Sequence, residues 1–252
     1  MTTTFTTYSA ISRDLNKWRT LTAQTPEVKS AVAAYGAGIA KVTGIDDFLA
    51  NRRVFGFAMT AFGLADKIDA KALMRRVLET GLEDSKSLAY TLHDPRILAF
   101  AQAFDFKGKG VASVTSTAAT SGVTAAYVQQ MLETRQGAQD EGVGLALYFA
   151  RKAPAITNVY DILADKKLLN VVRTALGISP MSAAQNIDTQ AAHLKRALVI
   201  ADFSDPKKLG RFIDRFAAQY DIAKASTAAA AGGVGIGTDL LVALQGFRPG
   251  GV

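Results

Sequence analysis

His93 and His193 are the only two imidazoles in 252 residues, and they bound the acid–base chemistry open to this chain. His93 stands directly before an Asp94-Pro95 step, and His193 lies within a helical pattern far downstream. A hydrolytic triad needs one histidine held between a nucleophile and a carboxylate, and neither histidine is accompanied by a nucleophile elbow or an oxyanion loop. Neither HExxH nor a pair of histidines one helical turn apart occurs, so a histidine-based metal site has no support. Both histidines read as surface or capping residues.

The carboxylates that could do general acid–base work come as chain neighbours: Asp46-Asp47, Glu83-Asp84 and Asp140-Glu141. Adjacent residues on a helix point in different directions, so these pairs do not converge on a substrate. They suit helix starts, where the macrodipole favours negative charge. The stretch "GGVGIGTD" (232–239) has the glycine density of a phosphate loop. It lacks the Lys-Ser/Thr of a P-loop, does not match GxGxxG, and follows an alanine run rather than a strand. The sequence therefore assigns no catalytic, cofactor-binding or metal-ligating residues and no cofactor, and the chain is read as non-enzymatic.

Composition narrows the class further. The absence of cysteine excludes disulfides, thiolate-bound zinc, iron–sulfur clusters and a thiol nucleophile. A hydrophobic fraction of 49% is enough for a sizeable core. The net charge of +7 raises the prospect of an anionic partner. Yet the basic pairs Arg52-Arg53, Arg75-Arg76, Lys166-Lys167 and Lys207-Lys208 lie in mixed-sign surroundings, with no basic arm or RNP-like pattern, which disfavours nucleic acid. The first residues lack a basic segment followed by an apolar one, so no cleaved secretion signal is expected. No stretch has the ~18 uninterrupted apolar residues that read as a membrane span.

The elements that would position any site are helical. Tyr8, Ile11, Leu15, Trp18 and Leu21 recur at spacings of three and four, which predicts one apolar stripe on an N-terminal helix and a candidate interaction surface. Thr25 and Pro26 then restart a helix. No segment alternates apolar and polar residues in the manner of a strand, so the chain reads as all-α.

One helix is written twice. "DFLANRRVFGFAMTAFGL" (47–64) and "DILADKKLLNVVRTALGI" (161–178) align without a gap, with Asp47, Leu49, Thr60 and Gly63 recurring as Asp161, Leu163, Thr174 and Gly177. Further on, "KIDAKALMRRVL" has its counterpart in "NIDTQAAHLKRAL", with Asp69 and Asp188 as expected N-caps, and each copy reaches an Asp-Pro step. The expected organisation is N-terminal helices (1–44), a first helical module (45–106), a Gly/Ser/Thr-rich linker (107–122) and a long helix followed by a second module (123–221). A low-complexity, mobile tail (222–252) follows, and residues 1–221 are expected to form one compact helical bundle.

The phrases "DDFLANRRVFGFAMTAFGL", "DEGVGLALYFARKAP", "YDILADKKLLNVVRTALGISPMS" and "NIDTQAAHLKRALVIADFSDPKKLGRFIDRFAAQYD" resemble an uncharacterised bacterial family. It is known as domain of unknown function twelve-seventeen and is found chiefly in alphaproteobacteria. The resemblance runs from about Ser9 to Tyr220. It implies no activity and no catalytic residues. Members sometimes encoded near flagellar genes imply a flagellum-associated or export-linked role. The expectation is thus a structural or interaction protein with a protein partner, for which the resemblance implies flagellar components, and with self-association open to it. It would be cytoplasmic or exported through the flagellar apparatus. The alternative is a basic module for nucleic acid or a membrane surface.

Overall fold

Pro26, Pro95 and Pro206 each open a helix, because a first-turn residue has no intrahelical partner for the N–H that proline lacks. The computed structural model describes residues 3–231, and all regular structure within that span is helical. The helices are α1 (Thr4–Arg13), α2 (Leu15–Ala23), α3 (Pro26–Ile39), α4 (Ile45–Ala50), α5 (Arg52–Ala61), α6 (Lys71–Thr80), α7 (Leu88–Thr91) and α8 (Pro95–Ala103). They continue with α9 (Phe106–Lys109), α10 (Val123–Gln139), α11 (Glu141–Lys152), α12 (Val159–Ala164), α13 (Lys166–Leu176), α14 (Ile187–Ala197) and α15 (Pro206–Ala231). No described helix is long and apolar enough to cross a membrane.

By their internal contacts the residues divide into two compact units, one of residues 10–144 and one of residues 1–9 with 145–252. The first is organised around aromatic rings. Phe48 of α4 meets Phe104 at 4.6 Å between centroids, and Phe100 stands edge-on to Phe55 at 6.4 Å. A second group stacks Tyr35, Phe57 and Tyr127 in series, with centroids 4.3 and 3.9 Å apart. Such pairs contribute about 0.5–1.5 kcal/mol each beyond their buried area. Arg19 of α2 donates to Gln129 of α10 at 2.7 Å, and Gln129 in turn donates to the buried Glu133 at 2.8 Å, so a polar chain ties α2 to α10.

The second unit has its own smaller core. Phe149, Phe203 and Phe212 form a triangle of rings 5.2–5.4 Å apart. Val171, Val172 and Ala175 of α13 are buried, as are Ile213, Phe216 and Ala217 of α15. Residues 3–9 belong to this unit. The Asp221 carboxylate of α15 accepts from the backbone N–H groups of Thr4 and Phe5, at 2.8 and 3.1 Å.

Several expectations change. The N-terminal stripe lies on two helices, because Asp14 leaves helical geometry at φ −145° and caps α2 through the Lys17 N–H. The long helix after residue 122 is two helices broken at Asp140. There Gly144 packs its Cα against Gly137, so a Cβ on Gly144 would fall 2.7 Å from that carbon. Glycine makes the close corner possible. Residues 107–122, expected as a linker with little to bury, finish α9 and then form 3-10 and π-helical turns that bury Ser113, Val114 and Ala119. Their small side chains let this backbone approach α3, where the Tyr35 hydroxyl donates to the Ala119 carbonyl. Asp69 and Asp188 are not the caps: Ala70 precedes α6 without a side-chain bond, and Asn186 caps α14 through the Thr189 N–H. Residues 222–231, expected in the tail, continue α15, and the rest of that tail lies outside the described residues.

Candidate functional site

The groove that stands out lies at the C-terminal end of α13. Asp165 starts this helix by accepting from the Lys167 and Leu168 N–H groups, and Gly177 ends it at φ +67°. Glycine enters that left-handed conformation without a Cβ clash. The reversal lets Ile178 return its N–H to the Arg173 carbonyl at 2.9 Å and brings Ile178 back beside α13. Leu163 of α12, Leu169 of α13, Ile178 and Leu194 of α14 then line a cleft of about 120 Å³, with His193 on its wall. Arg173 crosses its edge, donating to Gln190 at 2.7 Å, while Gln190 donates to the Gln185 carbonyl at 2.7 Å. A shallower groove of about 400 Å³ continues past Lys166, Asn170 and Thr174 to Gln219 and Ala223 of α15.

The equivalent turn in the other unit is built by the same bonds. Thr43 donates its N–H and hydroxyl to Asp47, as Thr157 does to Asp161. Asn51 caps α5 where Asp165 caps α13, and Gly63 ends α5 at φ +71°. Every pair is 114 residues apart. The outcome nevertheless differs. Leu49, Phe55, Met59 and Leu64 occupy the positions of Leu163, Leu169, Arg173 and Ile178, and all four are at most 3% exposed. In the second unit Leu163, Leu169, Arg173 and Ile178 are all half-buried. One wall is sealed by its own unit, and the other stands open.

A sequence model of the family described as "Protein of unknown function (DUF1217)" matches residues 61–209. A crystal structure of a protein from Agrobacterium tumefaciens, solved by a structural-genomics consortium, is similar at 38% identity and a TM-score of 0.80. That likeness covers 87% of this chain and 94% of the other. The chain belongs to the DUF1217 family. A search of curated proteins gives no match. Membership of DUF1217 establishes the family and carries no chemistry with it.

The stripe read from sequence is not a free face. Tyr8 and Ile11 are buried, Leu15 and Trp18 are half-buried, and Leu21 alone is exposed, at 48%. Burial, and after it the Asp214 carboxylate, push the Tyr8 phenol up to about 12, as expected of a core tyrosine. Spacing of three and four marks a helix's buried face as readily as a docking face, and here burial accounts for its first two residues. His93 adopts φ +50° and its ring Nδ1 contacts the Thr91 carbonyl, so it shapes the turn before α8. Among the described residues no three His, Asp or Glu side chains gather as a metal site.

Sequence reasoning missed a different apolar set on the second unit. Met181 is 85% exposed, Val199 63% and Ile187 57%, and Tyr160 is exposed beneath the Lys195 ammonium at 5.4 Å. Tyr160 lies on α12, Ile187 on α14, Met181 in the turn before α14 and Val199 just after that helix. The available signal was the mismatch between copies: methionine at position 59 faces arginine at position 173, a substitution a sealed core would not accept.

Proposed function

We propose that the protein acts by being bound: a non-enzymatic structural or interaction protein whose contact face is the α12–α14 side of the second unit. The observation that carries this reading is the exposure of Met181, Ile187 and Val199 on and around α14, in the unit that also holds the open apolar groove. Exposed apolar surface on a unit that also holds an open apolar groove suits an interaction site. The finer reading is a flagellum-associated or export-linked component, supported by the gene context of the family resemblance. An epitope-tagged copy tests it in the native host. Recovery from basal bodies or medium of wild type, and loss of both in a strain without the flagellar export ATPase, is the expected result. Protein confined to the cytosol of both strains removes the flagellar assignment.

The alternative is a basic module for an anionic partner, and charge distribution favours the same unit. Residues 145–252 carry thirteen Lys and Arg against eight Asp and Glu, whereas residues 10–144 carry sixteen against fourteen. This reading expects binding to DNA, RNA or anionic vesicles that weakens steeply with salt. Absence of binding at low salt eliminates it.

A further inference from the structure

We propose that the open face of α13 takes a short acidic helix from a partner protein, seated by apolar side chains in the groove and by carboxylates on its cationic rim. The proposal rests on the reading of this unit as the bound one, and adds the chemistry of what binds it.

The shape of the groove sets the length of the occupant. Lys166, Leu169, Asn170, Arg173, Thr174 and Gly177 recur at helical spacing and make a single face of α13. From Lys166 to Gly177 that face runs about 17 Å, or roughly three helical turns. The helices α12 and α14 wall it through Leu163 and Leu194, and α15 through Gln219 and Ala223. An amphipathic helix laid in such a groove anchors through apolar residues at spacings of three and four.

In the first unit the same face is covered. Phe55, at the position of Leu169, lies against Phe48 and against Phe100 of α8. Phe100 is the fifth residue after Pro95, and the fifth after Pro206 is Arg211. The covering ring thus has a cation as its counterpart, and Leu169 stays half-buried in the groove wall.

Charge selects the kind of helix. No Asp or Glu lines either part of the groove, whereas Lys166 and Arg173 do. Arg173 donates to the neutral Gln190 amide, and neither cation has an ion-pair partner among the described residues. The carboxylates at the start of α12 and α13 are already engaged. Thr157 and Asn158 donate to Asp161, while Tyr148 and the first amides of α13 donate to Asp165. An apolar trough with unpaired positive charge at its edge is complementary to a helix with aliphatic anchors and flanking Asp or Glu. A basic helix meets the apolar half of that requirement alone, and a nucleic acid the charged half alone.

A random library of peptides of about twelve residues, or three turns, displayed on phage and selected against the full chain, supplies a probe without assuming its sequence. The expected winners repeat apolar residues at spacings of three and four and carry more Asp and Glu than Lys and Arg. A synthetic peptide of the selected consensus should shift the amide resonances of Leu169, Asn170 and Ile178. It should bind roughly tenfold more weakly to the double variant Lys166→Glu, Arg173→Glu, and exchange of the peptide's acidic residues for lysine should restore that binding. Lys166→Glu alone, exposed in the first turn of α13, gives a severalfold loss even where Arg173→Glu disturbs the fold. Selection of neutral or basic peptides, or of none, overturns the proposal, as does an affinity that ignores both charge reversals. The same resonance shifts appearing with rising protein concentration and no peptide also overturn it, because the face then takes a second copy. Shifts confined to Met181, Ile187 and Val199 overturn the groove assignment while the interaction reading of the unit stands.

Discussion

Leu64 and Ile178 make the same hydrogen bond in two different units. Each returns its N–H to the residue five before it, Met59 at 2.7 Å and Arg173 at 2.9 Å, after a glycine of positive φ. The bond fixes where the following side chain lands, so both residues fall back onto the helix they have just left. Leu64 is fully buried there, and Ile178 forms part of an open groove.

Shared geometry implies shared cost. Gly63→Ala and Gly177→Ala each force a Cβ into the left-handed region, and neither new methyl meets an atom closer than 3.6 Å. Backbone strain alone then acts, at about 1–2 kcal/mol. Denaturant unfolding should show losses of this size for both variants, in whichever transition reports each unit.

Crowding, by contrast, separates two other glycines. Gly144→Ala places its Cβ 2.7 Å from the Gly137 Cα, which no rotamer change relieves. A loss of about 1–3 kcal/mol is expected for forcing extra volume into a packed corner. Gly210→Ala in α15 meets nothing within 4 Å and should raise stability by about 0.5–1 kcal/mol, because alanine costs less entropy in a helix. Equal effects of the two substitutions would contradict the close α10–α11 contact.

Asp161 supplies a pH dependence. Burial pushes its carboxyl up, but bonds from the backbone and side chains of Thr157 and Asn158 outweigh that and hold it below the usual carboxylate range. A depressed folded value gives stability that is present above the unfolded value, about 3.9, and lost as pH falls through the lower folded one. Asp161→Asn should therefore be less stable than wild type at neutral pH, with the gap narrowing in acid. A gap that stays constant from pH 7 to below the unfolded value would refute this account.

Tyr35→Phe tests the segment 107–122. Without the hydroxyl the buried Ala119 carbonyl loses its side-chain partner, a change of about 1 kcal/mol. Amide exchange should quicken first across residues 116–122, while α13 in the other unit stays as protected as before.

For the interaction face, Met181→Ser, Ile187→Ser and Val199→Ser combined should leave the melting temperature nearly unchanged, since exposed substitutions seldom exceed about 0.5 kcal/mol. On the flagellar reading proposed above, recovery of the protein from basal bodies should fall severalfold. Full recovery would move the contact face elsewhere.

Local chemistry carried most of the fold into the sequence. Pro26, Pro95 and Pro206 mark true helix starts, and Gly63 and Gly177 mark true stops, because these residues act through their own backbone. Asp14 and Asp140 were harder. Each breaks an apolar pattern that continues on both sides of it, and only packing shows that the two halves are separate helices. The 107–122 stretch misled for a related reason: alanine, serine and threonine read as linker, yet their small size permits burial at a close backbone approach. The groove was least legible. Leu169 and Phe55 are both apolar residues of one helical stripe, and only the arginine at 173, where the other copy has Met59, signals which of them lacks a covering neighbour.

Asp221 accepts hydrogen bonds from Thr4 and Phe5, 217 and 216 residues earlier in the chain. That contact has a consequence for the order of synthesis. A ribosome delivers residues 10–144 whole, so that unit can fold as soon as it emerges. The opening turns of α1 must wait, their natural partner unmade, until α15 has been translated. The second unit is thus completed only after release of its last helix. Any process that draws the chain out by its beginning would undo the α1–α15 clasp before it reached the aromatic core.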